Sequence, residues 1–236
     1  MTKNILFIPG LLCDQRLFAA QIAHLTDKGA NCVVADITGF DRTVSLAESV
    51  IKRNLSTATN WAVVALSMGG YVAFDLLRLA SDKISRLVLM NTSARADTDE
   101  QKQVRQGLIE LADKGQFNGV TPRLLPRLLH PHNLSNDKLT SLVRTMAESV
   151  GKESFIRQQT AIMHRPDNRS LLPTITQPTM IIAGEGDIIT PPEILREISG
   201  SIKGAKYTQI PNTGHLPPLE SPLQINHLLD DFILKS

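Results

Sequence analysis

Three side chains that lie far apart in the chain, Ser67, Asp187 and His215, have the types and flanking residues needed to turn an alcohol into a nucleophile. Serine attacks poorly at its free pKa. A base must lie within hydrogen-bond reach of it, and a third group must fix the base's tautomer. Ser67 falls in Val63-Val64-Ala65-Leu66-Ser67-Met68-Gly69-Gly70, between a strongly apolar run and a segment with helical spacing of Tyr71, Val72, Phe74, Leu76, Leu77 and Leu79. Small residues around the serine suit a sharp strand-to-helix turn, where the nucleophile is strained and bulky neighbours would clash. The G-x-S-x-G pattern reads here as Ala65-Leu66-Ser67-Met68-Gly69, with alanine in place of the first glycine. Such a turn aims the hydroxyl out of the sheet and sets the Met68 N–H at a helix N-terminus, where developing negative charge is favoured. The turn Pro9-Gly10-Leu11-Leu12 offers the Leu11 N–H as a second donor, with Gly10 letting backbone approach the substrate.

Asp187 follows a predicted strand in Ala183-Gly184-Glu185-Gly186-Asp187, and His215 follows the last one in Pro211-Asn212-Thr213-Gly214-His215. Both therefore sit where an open α/β sheet builds its sites, at strand C-termini. Glu185 is the rival acid but lies closer to the strand and is expected to face solvent. The position after the preceding strand holds Asn91, which carries no charge. His24 and His227 fall on surface-type helices. His130, His132 and His164 fall in a stretch without strands and are read as pocket or surface residues. No histidine has the spacing of a metal site, and neither metal nor cofactor is expected. Cys13 ranks below Ser67 as a nucleophile, because no histidine is linked to it in sequence. Leu12, Cys13, Arg123, Arg127 and His130 are the candidates for the substrate pocket. The stretch containing Arg123, Arg127, His130 and His132 has no acid, which hints at an anionic substrate.

The elements that must position these residues are legible as short apolar runs: Ile5 to Ile8, Cys32 to Ala35, Trp61 to Leu66, Leu87 to Met90, Thr179 to Ala183 and Tyr207 to Ile210. Bounded by Gly, Pro and Asp, they suit strands covered on both faces. Between them lie helix signals: Asp14 as a cap, Gly29 at a C-terminal left-handed position, Ser45 and Glu48 at capping-box spacing, and Ser221-Pro222 as N-cap and N1. The plan is a doubly wound α/β fold. The alternation stops between Asp97 and Arg165, where helix-like segments are separated by Gly115, Gly119, Pro122, Pro126, Pro131 and Gly151. Because long structureless loops are uncommon in compact domains, this stretch is expected to be a helical insertion able to act as a lid. The expected organisation is a core of residues 1–96 and 166–236 with a helical cap at 97–165.

The chain has 236 residues and a formal net charge of +2, enough length for one sizeable core and too little charge to draw a polyanion. Neither nucleic acid nor membrane is expected as a partner. The two cysteines, Cys13 and Cys32, cannot form a disulfide framework, and no apolar run reaches the length of a membrane span. With no signal-peptide pattern at the start, the expectation is a cytoplasmic protein acting on a small molecule, as a monomer or small homo-oligomer.

Taken together, these motifs resemble the α/β-hydrolase superfamily, in particular its small bacterial esterases and enol-lactonase-like hydrolases. The resemblance runs through Ile8-Pro9-Gly10-Leu11-Leu12-Cys13-Asp14, Leu66-Ser67-Met68-Gly69-Gly70, His164-Arg165-Pro166-Asp167, Gly184-Glu185-Gly186-Asp187 with Pro191-Pro192, and Gly214-His215-Leu216. Ser, Asp, His is the chain order of that fold. The resemblance implies a mostly parallel sheet of about eight strands, flanked by helices, with a cap inserted after the sixth. It departs from many relatives at Pro9, where they have histidine, and at Ala65. The implied function is hydrolysis of a small carboxylic ester, lactone or thioester through an acyl-enzyme on Ser67. The alternatives are C–C bond hydrolysis, perhydrolysis or lyase chemistry with the same triad, or a ligand-binding protein with slow turnover.

Overall fold

A computed structural model describes residues 2–55 and 60–235. Its strands are β1 (Asn4–Ile8), β2 (Asn31–Val34), β3 (Trp61–Leu66), β4 (Ile84–Met90), β5 (Thr179–Gly184) and β6 (Lys206–Ile210). Each coincides with one of the apolar runs picked out in the sequence. They form one parallel sheet in the order β2-β1-β3-β4-β5-β6. The sheet thus has six strands among the described residues rather than about eight, and the helical insertion follows the fourth.

Alternation along each strand divides the core in two. Leu6, Ile8, Val63, Ala65, Leu87, Leu89, Ile181 and Ala183 face one side. There they meet α2 (Thr43–Asn54), α3 (Met68–Ala80) and α7 (Pro192–Ser201) through residues such as Leu46, Phe74 and Leu195. Ile5, Phe7, Val64, Leu66, Val88, Met90 and Ile182 face the other, against Leu25 of α1 (Ala19–Asp27) and Ile225 and Leu229 of α9 (Pro222–Leu229). Strands apolar on both faces, with a side-chain period of two, are what a sheet covered on both sides requires.

Residues 97–165 contain α4 (Asp99–Leu111), the short α5 (Leu125–Leu128) and the long α6 (Asp137–Met163). Gly151, at φ 76° and ψ 175°, breaks α6 into two runs, and Gly115 and Gly119 also take positive φ, so the glycines act as the predicted helix breaks. One local expectation differs, the capping box at Ser45 and Glu48. α2 begins at Thr43 with Arg42 as its cap, which places Ser45 inside the helix rather than at its start. The capping box lies instead at Thr98 and Gln101, whose side chains and backbone N–H groups satisfy each other reciprocally. Among the described residues no helix is long and apolar enough to cross a membrane.

Candidate active site

Strand order reverses between β1 and β3, and the crevice beyond their C-terminal ends is where an open α/β sheet receives a ligand. Ser67 lies directly at that point. It joins β3 to α3 at φ 53° and ψ −116°, a region costing a non-glycine residue about 1–3 kcal/mol. The strain is held from several directions: Ser67 N–H donates to Met90 O at 3.0 Å, while Thr92 Oγ1 and Gly70 N–H donate to Ser67 O at 2.7 and 2.9 Å. Glycine is required next to it by close approach. A Cβ at Gly69 would lie 2.2 Å from Ile8 O and 2.7 Å from Pro9 O, and one at Gly70 would lie 2.3 Å from Thr92 Oγ1. Ala65, the departure from the usual pattern, is fully buried within β3 and paired with Ile8 and Leu89, so its methyl is accommodated in the sheet.

The loops after β5 and β6 bring the acid and the base to the serine. His215 Nε2 lies 2.9 Å from Ser67 Oγ, and its Nδ1 lies 2.8 Å from Asp187 Oδ2. A carboxylate can only accept, so Nδ1 carries the proton and Nε2 is left to accept from the hydroxyl. Asp187 is itself fixed. Its Oδ1 accepts from Ile189 N–H at 2.8 Å and Thr190 N–H at 3.2 Å, and its Oδ2 accepts from Thr190 Oγ1 at 2.6 Å. Burial alone would raise the Asp187 pKa. The charge of His215, its hydrogen bond and those from Thr190 and Ile189 outweigh burial and hold the carboxyl below its ordinary value. Glu185 is exposed and accepts from Asn212 N–H at 3.2 Å, and the imidazole pairs with Asp187 instead.

The two predicted N–H donors are placed by different means. Met68 opens α3, so its N–H has no partner within the helix. In the turn after β1, Cys13 N–H closes onto Gly10 O at 3.1 Å, Leu12 sits at φ 58°, and its N–H donates to the buried Gln158 Oε1 at 3.1 Å. Among the described residues no acceptor takes the Leu11 N–H. Leu11, Leu12, Cys13, Ser67 and His215 share one cavity of about 110 Å³ with Tyr71, Arg105, Val120 and Ile162.

Leu12 and Cys13 line the cavity, while Arg123, Arg127 and His130 do not. Arg123 and Arg127 are exposed, on the outward side of the segment around α5. His130 packs its ring against Gly186, where an added Cβ would meet His130 Cδ2 at 2.5 Å, and its Nδ1 accepts from His132 N–H. Burial, then the neighbouring Asp14 charge, push the Cys13 thiol up to about 12, so it remains protonated and unreactive at neutral pH. His24 pairs with Asp230 at 2.9 Å, a structural role.

Sequence reasoning missed four residues that matter to this geometry. Glu220 accepts from the N–H groups on both sides of His215, and Asn91 bridges the acid and base loops. Arg105 lines the cavity from the insertion, and Asp97, at the base of the insertion, accepts from it. Only Glu220 left a trace, an acid five residues after His215 just before a helix start.

A parallel α/β sheet with a strained serine at its switch point and an imidazole set against it is the architecture of the α/β hydrolases. The model of the alpha/beta hydrolase fold matches residues 3–222, and this chain belongs to that family. A thermophilic esterase from Thermogutta terrifontis superposes with a TM-score of 0.92 at 28% identity, covering 100% of this chain and 90% of that one. The enol-lactonase of Burkholderia xenovorans shares the fold with a TM-score of 0.86 at 23% identity, over 98% and 91% of the two chains. BpoC of Mycobacterium tuberculosis is 30% identical over 176 residues, which is 70% of this chain. The match spans 64% of the length of that relative.

Proposed function

We propose that the protein is a serine hydrolase that cleaves a small carboxylic ester, lactone or thioester. The observation that carries this reading is the unbroken hydrogen-bonded row Asp187–His215–Ser67, at 2.8 and 2.9 Å, ending on a strained serine that lines a cavity. His215 Nε2 takes the hydroxyl proton as Ser67 Oγ attacks the carbonyl carbon, and the imidazolium that forms is stabilised by the ionised Asp187. The oxyanion of the tetrahedral intermediate is received by the Leu11 and Met68 N–H groups, each worth about 3–4 kcal/mol where such donors have been removed. His215 then returns its proton to the leaving group, giving an acyl-enzyme. A water deprotonated by the same imidazole releases the acid and restores Ser67. The cavity volume favours short acyl groups, and the helices of residues 97–165 serve as the cap that excludes bulk water. Esterase and enol-lactonase relatives of the same fold support hydrolysis of this class.

The test is turnover of short p-nitrophenyl esters by wild type and Ser67→Ala. The variant is expected to lose about 10⁶-fold in kcat, the size of effect seen when a triad nucleophile is removed. Equal turnover by the alanine variant would remove Ser67 from the mechanism.

A further inference from the structure

Arg105 projects from α4 into the wall of the cavity that contains Ser67, and the carboxylate it pairs with, Asp97, is shared with a second guanidinium. Its Nε donates to Asp97 Oδ2 and its Nη1 donates to Gln159 Oε1 at 2.7 Å. Asp97 is already engaged: Arg165 Nη1 donates to its other oxygen at 2.6 Å, with the Asp97 side chain 1% exposed and that of Arg165 5% exposed. Arg165 is held further by Arg95 O, by Ile162 O and by the Tyr71 ring, whose centroid lies 4.3 Å from its guanidinium carbon. Two guanidinium groups thus share one carboxylate. The cluster carries one positive charge in excess, and Arg105, the more exposed of the two cations, is the one that borders the cavity.

Among the described residues no carboxylate lines the cavity, and the other titratable groups that do are Cys13, Tyr71 and His215. The Arg105 side chain is 22% exposed and has only a share of the Asp97 carboxylate, so a partly desolvated cation faces the cavity, and the partner that completes it is expected to be an anionic ligand. A guanidinium with two N–H groups committed keeps three, in a planar fork that matches a carboxylate. Tyr71 borders the same space, and its hydroxyl has no hydrogen-bond partner among the described residues.

We infer that Arg105, seconded by Tyr71, is a carboxylate-binding subsite and that the substrate is a small ester or lactone bearing a free carboxylate a few atoms from the scissile carbonyl. The inference rests on the nucleophile reading above and narrows it. The spacer must be short, because carboxylate and scissile carbonyl share a cavity of about 110 Å³. The anionic preference that the sequence attached to Arg123, Arg127, His130 and His132 belongs instead to a residue of α4.

Two matched pairs of esters, followed by proton NMR, test this. Monomethyl succinate against methyl butanoate places the charge on the acyl side, and acetoxyacetate against ethyl acetate places it on the leaving side. In wild type at least one anionic ester is expected to exceed its neutral partner in kcat/KM by about 10-fold or more, the scale of a charge-assisted hydrogen bond. Arg105→Gln is expected to bring that ratio to about one. Arg105→Lys, which keeps the charge without the fork, falls between, and thermal melts of both variants report folding. Wild type that is labelled at Ser67 by a fluorophosphonate, yet neither prefers nor cleaves either anionic ester, overturns the subsite alone. A ratio unchanged in both Arg105 variants does the same. Wild type that neither labels nor cleaves any of the four esters overturns the nucleophile reading on which the subsite depends.

Discussion

Glu220, at the end of α8 (Pro217–Glu220), joins the base loop to the insertion with a single carboxylate. Its Oε1 accepts from Gly214 N–H at 2.9 Å and Leu216 N–H at 3.1 Å, the two neighbours of His215. Its Oε2 accepts from His130 N–H at 2.7 Å and Asn133 Nδ2 at 2.9 Å. Glu220→Gln keeps the shape but turns one oxygen into a donor, so two of these four contacts lose their acceptor whichever way the amide is oriented. Hydrogen bonds to a charged group contribute about 1.5–3 kcal/mol each when buried. Glu220 is half-buried, and solvent screening reduces this to about 1 kcal/mol per bond, or about 2 kcal/mol for the pair. For a domain of this size that lowers Tm by about 4–8 °C. The imidazole keeps its bond to Asp187, and His215 N–H still donates to Leu128 O at 2.9 Å, so the base is loosened rather than lost. A fall of about tenfold in kcat is expected, with KM changed much less, because the perturbed group orients the base and does not contact substrate. Differential scanning fluorimetry and steady-state kinetics on a short ester measure both quantities. A variant melting within about 1 °C of wild type with undiminished kcat would refute the claim that this carboxylate sets the His215 loop.

Asp187→Asn is expected to reduce kcat by about 10⁴-fold, since the amide presents the wrong partner to Nδ1. Its stability deficit should also depend on pH. The folded carboxyl lies below its ordinary value, so its contribution is complete above about pH 4 and is lost as pH falls through the folded value. Denaturant melts of wild type and variant should therefore converge below pH 4, and a gap that widens there would contradict the assignment. Cys13, held protonated by burial, should resist iodoacetamide in the folded protein at pH 8.5 and react once unfolded; mass spectrometry of the peptide containing it decides the matter.

What could be read from the sequence and what could not divide along one physical line. All six strands and the Ser67 turn were legible because each is set by residues adjacent in sequence: apolar runs for a doubly covered sheet, small residues at a sharp turn. The placement of Asp187 and His215 beside Ser67 was legible because both follow strands, so their side of the sheet is fixed by topology. Contacts made across the fold left no local pattern. Leu12 N–H meets Gln158 across 146 positions, and Arg165 meets Asp97 across 68. The wrong choice of Arg123 and Arg127 has the same cause. Local composition says that a stretch is basic, whereas the packing of α4 and α6 against each other decides which cation turns inward.

Asn91 shows how a position can fail one role and thereby fill another. It follows β4, where a second acid could have faced the imidazole, but it is uncharged, fully buried and at φ 41°. Its Oδ1 accepts from Gly184 N–H at 2.8 Å, at the start of the acid loop, and its Nδ2 donates to Gly214 O at 2.8 Å, beside the base. An aspartate there could accept from Gly184 but would present lone pairs to the Gly214 carbonyl, and it would bury a second anion without a cation in contact. The two loops also approach closely at this level: a Cβ at Gly184 would lie 2.0 Å from Gly214 O. A donor–acceptor amide between them is therefore the group that sets the spacing at which Asp187 reaches His215. Asp187 follows β5, while the end of β4 is committed to holding the β5 and β6 loops together.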